Sequence, residues 1–330
     1  MYKRFYNLKR NPFEITPDPS FLFASAKHQE ALTALYYGVL GRKGFVVMTG
    51  EVGTGKTLLV RSLLQLIQRQ NMASSYVFNS LLAPFDFLRA VACDFGLAGT
   101  AKSKGELLDE LNGYLLACHR KKITAVLVID EAHHLSTEVL EEIRLLMNLE
   151  TIQEKLLQIL LVGQPELDTK LDSFELRQLK QRIAIRCQLE SLNQDETMEY
   201  IQRRLRIAGS ESSEAASLFP PDAVAEIHRY TRGIPRLINV VCENALLIAY
   251  ARQARRITPD ILDEIARAFR LTGIGPESPE PPPEKNELWQ SVKTLVEFHD
   301  PQDPASREKK HFEQGVNGGG QHNGFGSAPT

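Results

Sequence analysis

FVVMTGEVGTGKT, Phe45 to Thr57, decides how the rest of the 330-residue chain is read. Phe45 to Thr49 form a short, unbroken run of apolar and β-branched residues, as a strand covered on both faces requires. From Gly50 to Thr57 the chain follows G-x-x-x-x-G-K-[ST], and each fixed position has a physical reason. Gly50, Gly53 and Gly55 let backbone N–H groups turn inward around an anion, because side chains there would block the approach. The next residues, LLVRSLLQLIQ, carry apolar positions at helical spacing, so a helix starting near Lys56 aims its positive end at the same anion. Lys56 is expected to reach the β and γ oxygens of a nucleotide, and the Thr57 hydroxyl to be a ligand to Mg²⁺. With Glu51, Val52, Thr54 and Leu58 completing the loop, the expected cofactors are ATP and Mg²⁺.

On either side of this stretch, strand-like and helix-like segments alternate. The runs at 75–80, 124–130, 157–163 and 183–191 supply four more candidate strands, separated by helical patterns near 84–95, 103–121, 136–150 and 175–182. That alternation predicts an α/β fold, a parallel sheet flanked by helices. Strand signals cease after Leu192, and helices follow at about 193–208, 221–232, 235–251 and 259–271. The expected organisation is an α/β domain over 1–192 and an all-helical domain over 193–272, with no internal repeat.

A second constellation lies in TAVLVIDEAHHL, where a buried strand ends on Asp130-Glu131. A strand emerging beside the phosphate loop can place Asp130 to hold Mg²⁺ and Glu131 to orient and deprotonate an attacking water. His133 and His134 have no third ligand at metal-binding spacing, so they are read as a turn or helix start.

Composition excludes other classes. The whole chain has 39 Lys+Arg against 41 Asp+Glu and 43% hydrophobic residues, the balance of a soluble globular protein. No apolar run approaches the roughly 18 residues needed to cross a bilayer. The first twenty residues are basic but lack the apolar stretch of a secretory signal, so a cytoplasmic location is expected. Cys93, Cys118, Cys187 and Cys242 are too far apart for a metal knuckle and are expected to be buried thiols. From Gly273 onward there are nine acidic and five basic residues, against 32 and 34 before it. The Pro-rich and Gly-rich stretches of 273–330 predict a disordered tail. Within it Leu288, Val292, Leu295 and Val296 fall on one helical stripe, suggesting a short helix over 286–298.

These residues resemble the AAA+ P-loop ATPases, and within them the general secretion pathway protein A (ExeA-like) family. The likeness runs over about 1–272, through FYNLKRNPFEITPDPSFLFAS, the phosphate loop, IDEAHHL, LLVGQPEL, LRQLKQRI and TRGIPRLIN. The resemblance implies that the helical domain is an AAA+ lid. It also implies that Gln164 is the polar sensor at the γ-phosphate, although Gln departs from the Asn or Thr common in that class. Arg182, or else Arg177, takes the place of an arginine finger completing a neighbour's site, and Arg236 that of the lid's sensor. Pro12, Phe13 and His28 lie where the class commonly packs adenine, and read equally well as core contacts. A finger acting in trans implies a homo-oligomer, a ring or filament.

Three functions are consistent with these features. The first is a Mg²⁺-dependent ATPase that powers or regulates assembly of a bacterial envelope machine for secretion, pili or exopolysaccharide export, through a membrane-protein partner. The second is a nucleic-acid-bound ATP switch of the transposition-helper or initiator type, supported by Arg203, Arg204, Arg206, Arg252, Arg255 and Arg256. The third, a small-molecule kinase, fits less well because Glu131 suits water as the nucleophile.

Overall fold

Five parallel strands form one sheet in the order β2-β3-β4-β1-β5. They are β1 (Phe45–Gly50), β2 (Met72–Val77), β3 (Thr124–Ile129), β4 (Leu157–Gly163) and β5 (Ile185–Leu189). The computed structural model describes residues 2–16, 18–68, 70–78, 81–210 and 217–271. The tail over 273–330 and the stripe at 286–298 lie outside the described residues.

The three inner strands are buried almost throughout, which explains their continuous apolar sequences. Successive residues alternate between two cores. Phe45, Val47, Leu127, Ile159 and Leu161 face helices α4 (Pro84–Asp94), α5 (Lys104–Arg120) and α6 (Thr137–Leu146). Val46, Met48, Val126, Leu160 and Val162 face α2 (Ala26–Leu40) and α3 (Lys56–Gln68). Short helices α7 (Glu166–Leu171) and α8 (Arg177–Lys180) connect β4 to β5.

Among the described residues four helices follow the sheet: α9 (Gln194–Ile207), α10 (Pro221–Thr231), α11 (Pro235–Ala251) and α12 (Pro259–Ala268). The first opens on a capping box, in which the Asn193 side chain accepts from Glu196 N–H and the Glu196 carboxylate accepts from Asn193 N–H. The N-terminal residues, grouped by sequence with the sheet, contribute instead to the core of these helices. Tyr2 in the short helix α1 (Tyr2–Phe5), Tyr6, Leu8 and Phe13 are buried there among Ile201, Val241 and Ile261. The cysteine expectation holds for Cys118 and Cys242, which are buried, whereas Cys187 is half-buried and Cys93 is exposed.

Candidate active site

The phosphate loop and the two acidic residues meet at the carboxyl ends of the strands. Strand β4 lies between β1 and β3, so the residue that follows it, Gln164, emerges between the loop and Asp130-Glu131. The chain runs from β1 to one side of the sheet and crosses to the other after β4, and ligands of open parallel sheets bind at such reversals.

Gly53 and Gly55 have φ of 86° and 106°, left-handed values that a side chain resists. A Cβ on Gly53 would also stand 2.8 Å from the Cβ of Arg236, so the loop and the start of α11 touch as backbone to backbone. Arg236 N–H donates to the Gly53 carbonyl (3.2 Å). Its guanidinium-bearing side chain is exposed beside the loop. The Lys56 ammonium is buried and donates to the carbonyls of Gly50 (2.6 Å) and Glu51 (2.8 Å). Burial holds its pKa below the ordinary 10.5, while the charges of Glu131 and Asp130 pull the other way. The Thr54 carbonyl accepts from His28 Nε2–H (3.1 Å), and the Ser25 hydroxyl donates to His28 Nδ1 (2.8 Å).

Thr57 donates its hydroxyl to Asp130 Oδ2 (2.9 Å). The same oxygen accepts from the Tyr76 hydroxyl on β2 (2.7 Å), and Asp130 Oδ1 accepts from Glu131 N–H (2.9 Å). Asp130 is thus held from three sides and is 4% exposed. Burial and the Asp130 carboxylate push the Tyr76 phenol well above its ordinary pKa, so it stays a donor. A hydroxyl and a carboxylate oxygen in contact are hard donors that fit Mg²⁺, which is commonly held by few protein oxygens together with phosphate.

Glu131 has left-handed backbone angles, φ 53° and ψ 36°, a conformation costing a non-glycine residue about 1–2 kcal/mol. Strain of this kind collects where a side chain must be aimed. Its Oε2 lies 3.5 Å from His133 Nδ1, which accepts from the Gln164 backbone N–H at 3.5 Å. His133 and His134 do form a turn, Ala132–His134, as expected from sequence.

Other expected residues are placed elsewhere. Arg182 donates to Asn148 Oδ1 (2.6 Å), and the Arg177 guanidinium stacks 4.1 Å over the Phe174 ring, away from this chain's own loop contacts. Phe13 is fully buried and packs edge-on against Phe219, so it is a core contact and no adenine platform. The Pro12 carbonyl accepts from Arg204 Nε (2.6 Å). A narrow cleft beside Thr54 and Gly55 is lined by Phe21, Phe23, His28, Leu58 and Tyr200. Tyr76 was not foreseen, because its role depends on β2 pairing beside β3, where Tyr76 is level with Val128.

Residues 39–171 match the AAA domain family. General secretion pathway protein A of Aeromonas hydrophila is 41% identical over 278 residues, which is 84% of this chain and 50% of that protein. The chain therefore spans about half the length of this relative. Among solved structures, Cdc6p of Pyrobaculum aerophilum aligns with a TM-score of 0.58 at 17% identity, covering 83% of this chain and 72% of that one. The ORC2 protein of Aeropyrum pernix aligns at 0.55 and 16%, covering 78% and 71%. At such identities the likeness is one of fold. A phosphate loop and an acidic strand end on this sheet, followed by a helical lid, define an AAA+ P-loop module. Within that class the chain is ExeA-like: its similarity to general secretion pathway protein A and its match to the AAA domain family agree.

Proposed function

We propose that this protein binds ATP with Mg²⁺, hydrolyses it, and uses the cycle to power or regulate assembly of a bacterial envelope machine for secretion, pili or exopolysaccharide export. The observation that carries the hydrolytic part is the Thr57–Asp130 bond beneath the phosphate loop, with Glu131 as the next residue. Thr57 and Asp130 would hold Mg²⁺, which would supply positive charge to offset that of the phosphates. Lys56 exchanges two carbonyls for the β and γ oxygens, and the glycine loop from Gly50 to Leu58 supplies backbone donors. Glu131 takes a proton from the attacking water. Gln164 supplies a polar contact from the end of β4, and Arg236 reports the γ-phosphate to the lid.

The working division is an α/β domain over 1–192, whose first residues pack into the core of the lid, a lid over 193–272 and a tail over 273–330. Arg182 is assigned as the finger that enters the site of a second copy, which makes the working unit a ring or filament. The envelope role rests on the name of the Aeromonas relative, and would be exercised from the cytoplasm through a membrane-protein partner at the inner membrane. Among the described residues no helix is long and apolar enough to cross a membrane.

The arginines that favour a nucleic-acid switch are largely engaged within the fold. Arg204 is 6% exposed, Arg252 pairs with Asp260 and Glu264, Arg255 donates to the Phe5 carbonyl, and Arg256 pairs with Asp222. A surface built to hold phosphates would leave such groups free.

The test is phosphate release from ATP and Mg²⁺ by the purified chain and by Arg182→Ala at concentrations where the wild type assembles. The variant is expected to bind ATP and lose turnover by a factor on the order of 10³. Full turnover in the assembled variant would remove the finger and the argument for an oligomer with it.

A further inference from the structure

Just past Glu131 the chain makes its 3₁₀ turn at the end of β3, and the His133 ring turns inward from it, with 8% of the side chain exposed. Three elements meet on this residue. Nδ1 stands 3.5 Å from Glu131 Oε2 and accepts the Gln164 N–H from the residue after β4. The His133 carbonyl accepts from Lys170 Nζ on α7 (2.6 Å), which also holds the Leu135 carbonyl (2.7 Å). The turn packs so closely on β4 that a Cβ on Gly163 would stand 3.2 Å from His133 N. On its outer side the ring lies against His134, centroid to centroid 3.9 Å.

An N–H can be donated to Nδ1 only when that nitrogen carries no proton, so the bond from Gln164 calls for the neutral Nε2–H tautomer. Its surroundings agree: burial, His134 and Lys56 lower the pKa below the ordinary 6.5, against the carboxylates of Glu131 and Glu166. In that tautomer Nδ1 has no hydrogen to offer Glu131 Oε2, 3.5 Å away. Glu131 Oε2 is correspondingly buried with no hydrogen-bond partner, although 44% of the side chain is exposed. A buried carboxylate oxygen without donors needs a reason, and the ring that fills the adjoining space supplies one.

We propose that His133 is a positioning residue for Glu131: a neutral ring, fixed by the Gln164 amide and by the Lys170-held turn, that keeps water from Oε2 and presents the carboxylate by its other oxygen. The water-activating group and the polar residue after β4 are thereby tied to one support. This rests on the hydrolytic reading of Glu131 given above.

His133→Ala removes the support, and His133→Asn leaves a side-chain acceptor near the position of Nδ1. In His133→Ala kcat is expected to fall about tenfold to a hundredfold, while the ATP dissociation constant stays within about threefold. His133→Asn should recover most of the rate. Two further readouts need no turnover: the ¹⁵N resonances of His133 should report the Nε2–H tautomer, and the ¹³C resonance of the Glu131 carboxylate, assigned with Glu131→Gln, should move in His133→Ala. An unchanged kcat in His133→Ala, or a proton on Nδ1, would overturn the proposal. So would equal losses of kcat, ATP binding and Tm in both variants, the mark of a structural role alone. If the wild type releases no phosphate, the hydrolytic reading fails, and the two resonances alone decide whether the ring positions Glu131.

Discussion

Asp130 Oδ2 takes hydroxyl donors from two directions, Thr57 on the phosphate-loop helix and Tyr76 on the edge strand. In the proposed Mg²⁺-bound state Thr57 would turn to the metal, leaving Tyr76 as the side-chain donor that holds the carboxylate. Tyr76→Phe should therefore raise the Mg²⁺ concentration for half-maximal phosphate release severalfold and lower stability by about 1–2 kcal/mol. A Mg²⁺ titration and a thermal melt check both, and an unchanged Mg²⁺ dependence would mean that Tyr76 does not orient Asp130. The loop, Asp130 and Glu131 were legible because their chemistry is local in sequence. Tyr76 was not, since nothing in SYVF tells which neighbour its hydroxyl will meet. Arg204 sits in the basic run that suggested a nucleic-acid switch, yet it donates to the Pro12 and Glu14 carbonyls about 190 residues away in sequence.

Among the elements, the approach to α11 is the most constrained. Gly233 has φ 68°, its carbonyl accepts from Leu192 N–H (2.9 Å), and a Cβ there would run into the Leu192 carbonyl. Gly233→Ala should cost well over the roughly 1–2 kcal/mol of left-handed strain, because overlap adds to it. Gly113, inside α5 with nothing near its missing Cβ, is the opposite case. Gly113→Ala should stabilise by about 0.5–1 kcal/mol. Denaturant melts of the two variants should move in opposite directions, and a neutral Gly233→Ala would refute this account of the sheet-to-lid junction. Element boundaries were legible where both faces are covered. The edge strands β2 and β5, only partly buried, run Met72–Val77 and Ile185–Leu189 in place of the expected 75–80 and 183–191. Helix α2 escaped notice because its apolar residues, around Gly38, lie on several sides. At six residues α7 is too short to show a period.

Across the whole molecule, buried and half-buried imidazoles link stability to pH. His28 lies between Ser25 and the phosphate loop, His228 is within 3.0 Å of Thr197 Oγ1, and His133 lies beside Glu131. Burial is the leading cause in each case and lowers each pKa from the ordinary 6.5. Above that value both folded and unfolded chains hold these rings neutral, so they contribute nothing. Below it the unfolded chain takes up protons that the folded chain refuses, and stability falls. Urea melts should show that loss as pH drops below about 6.5, with a smaller loss in His28→Gln. A flat profile in the wild type would show that the rings are protonated freely in the fold.

The central claim, that Glu131 activates water for ATP cleavage at a loop that binds the nucleotide independently, is tested most directly by phosphate release and ATP binding measured together in the wild type and Glu131→Gln. Turnover is predicted to fall by a factor on the order of 10²–10⁴ with ATP binding preserved. Turnover in Glu131→Gln equal to the wild type would contradict the account.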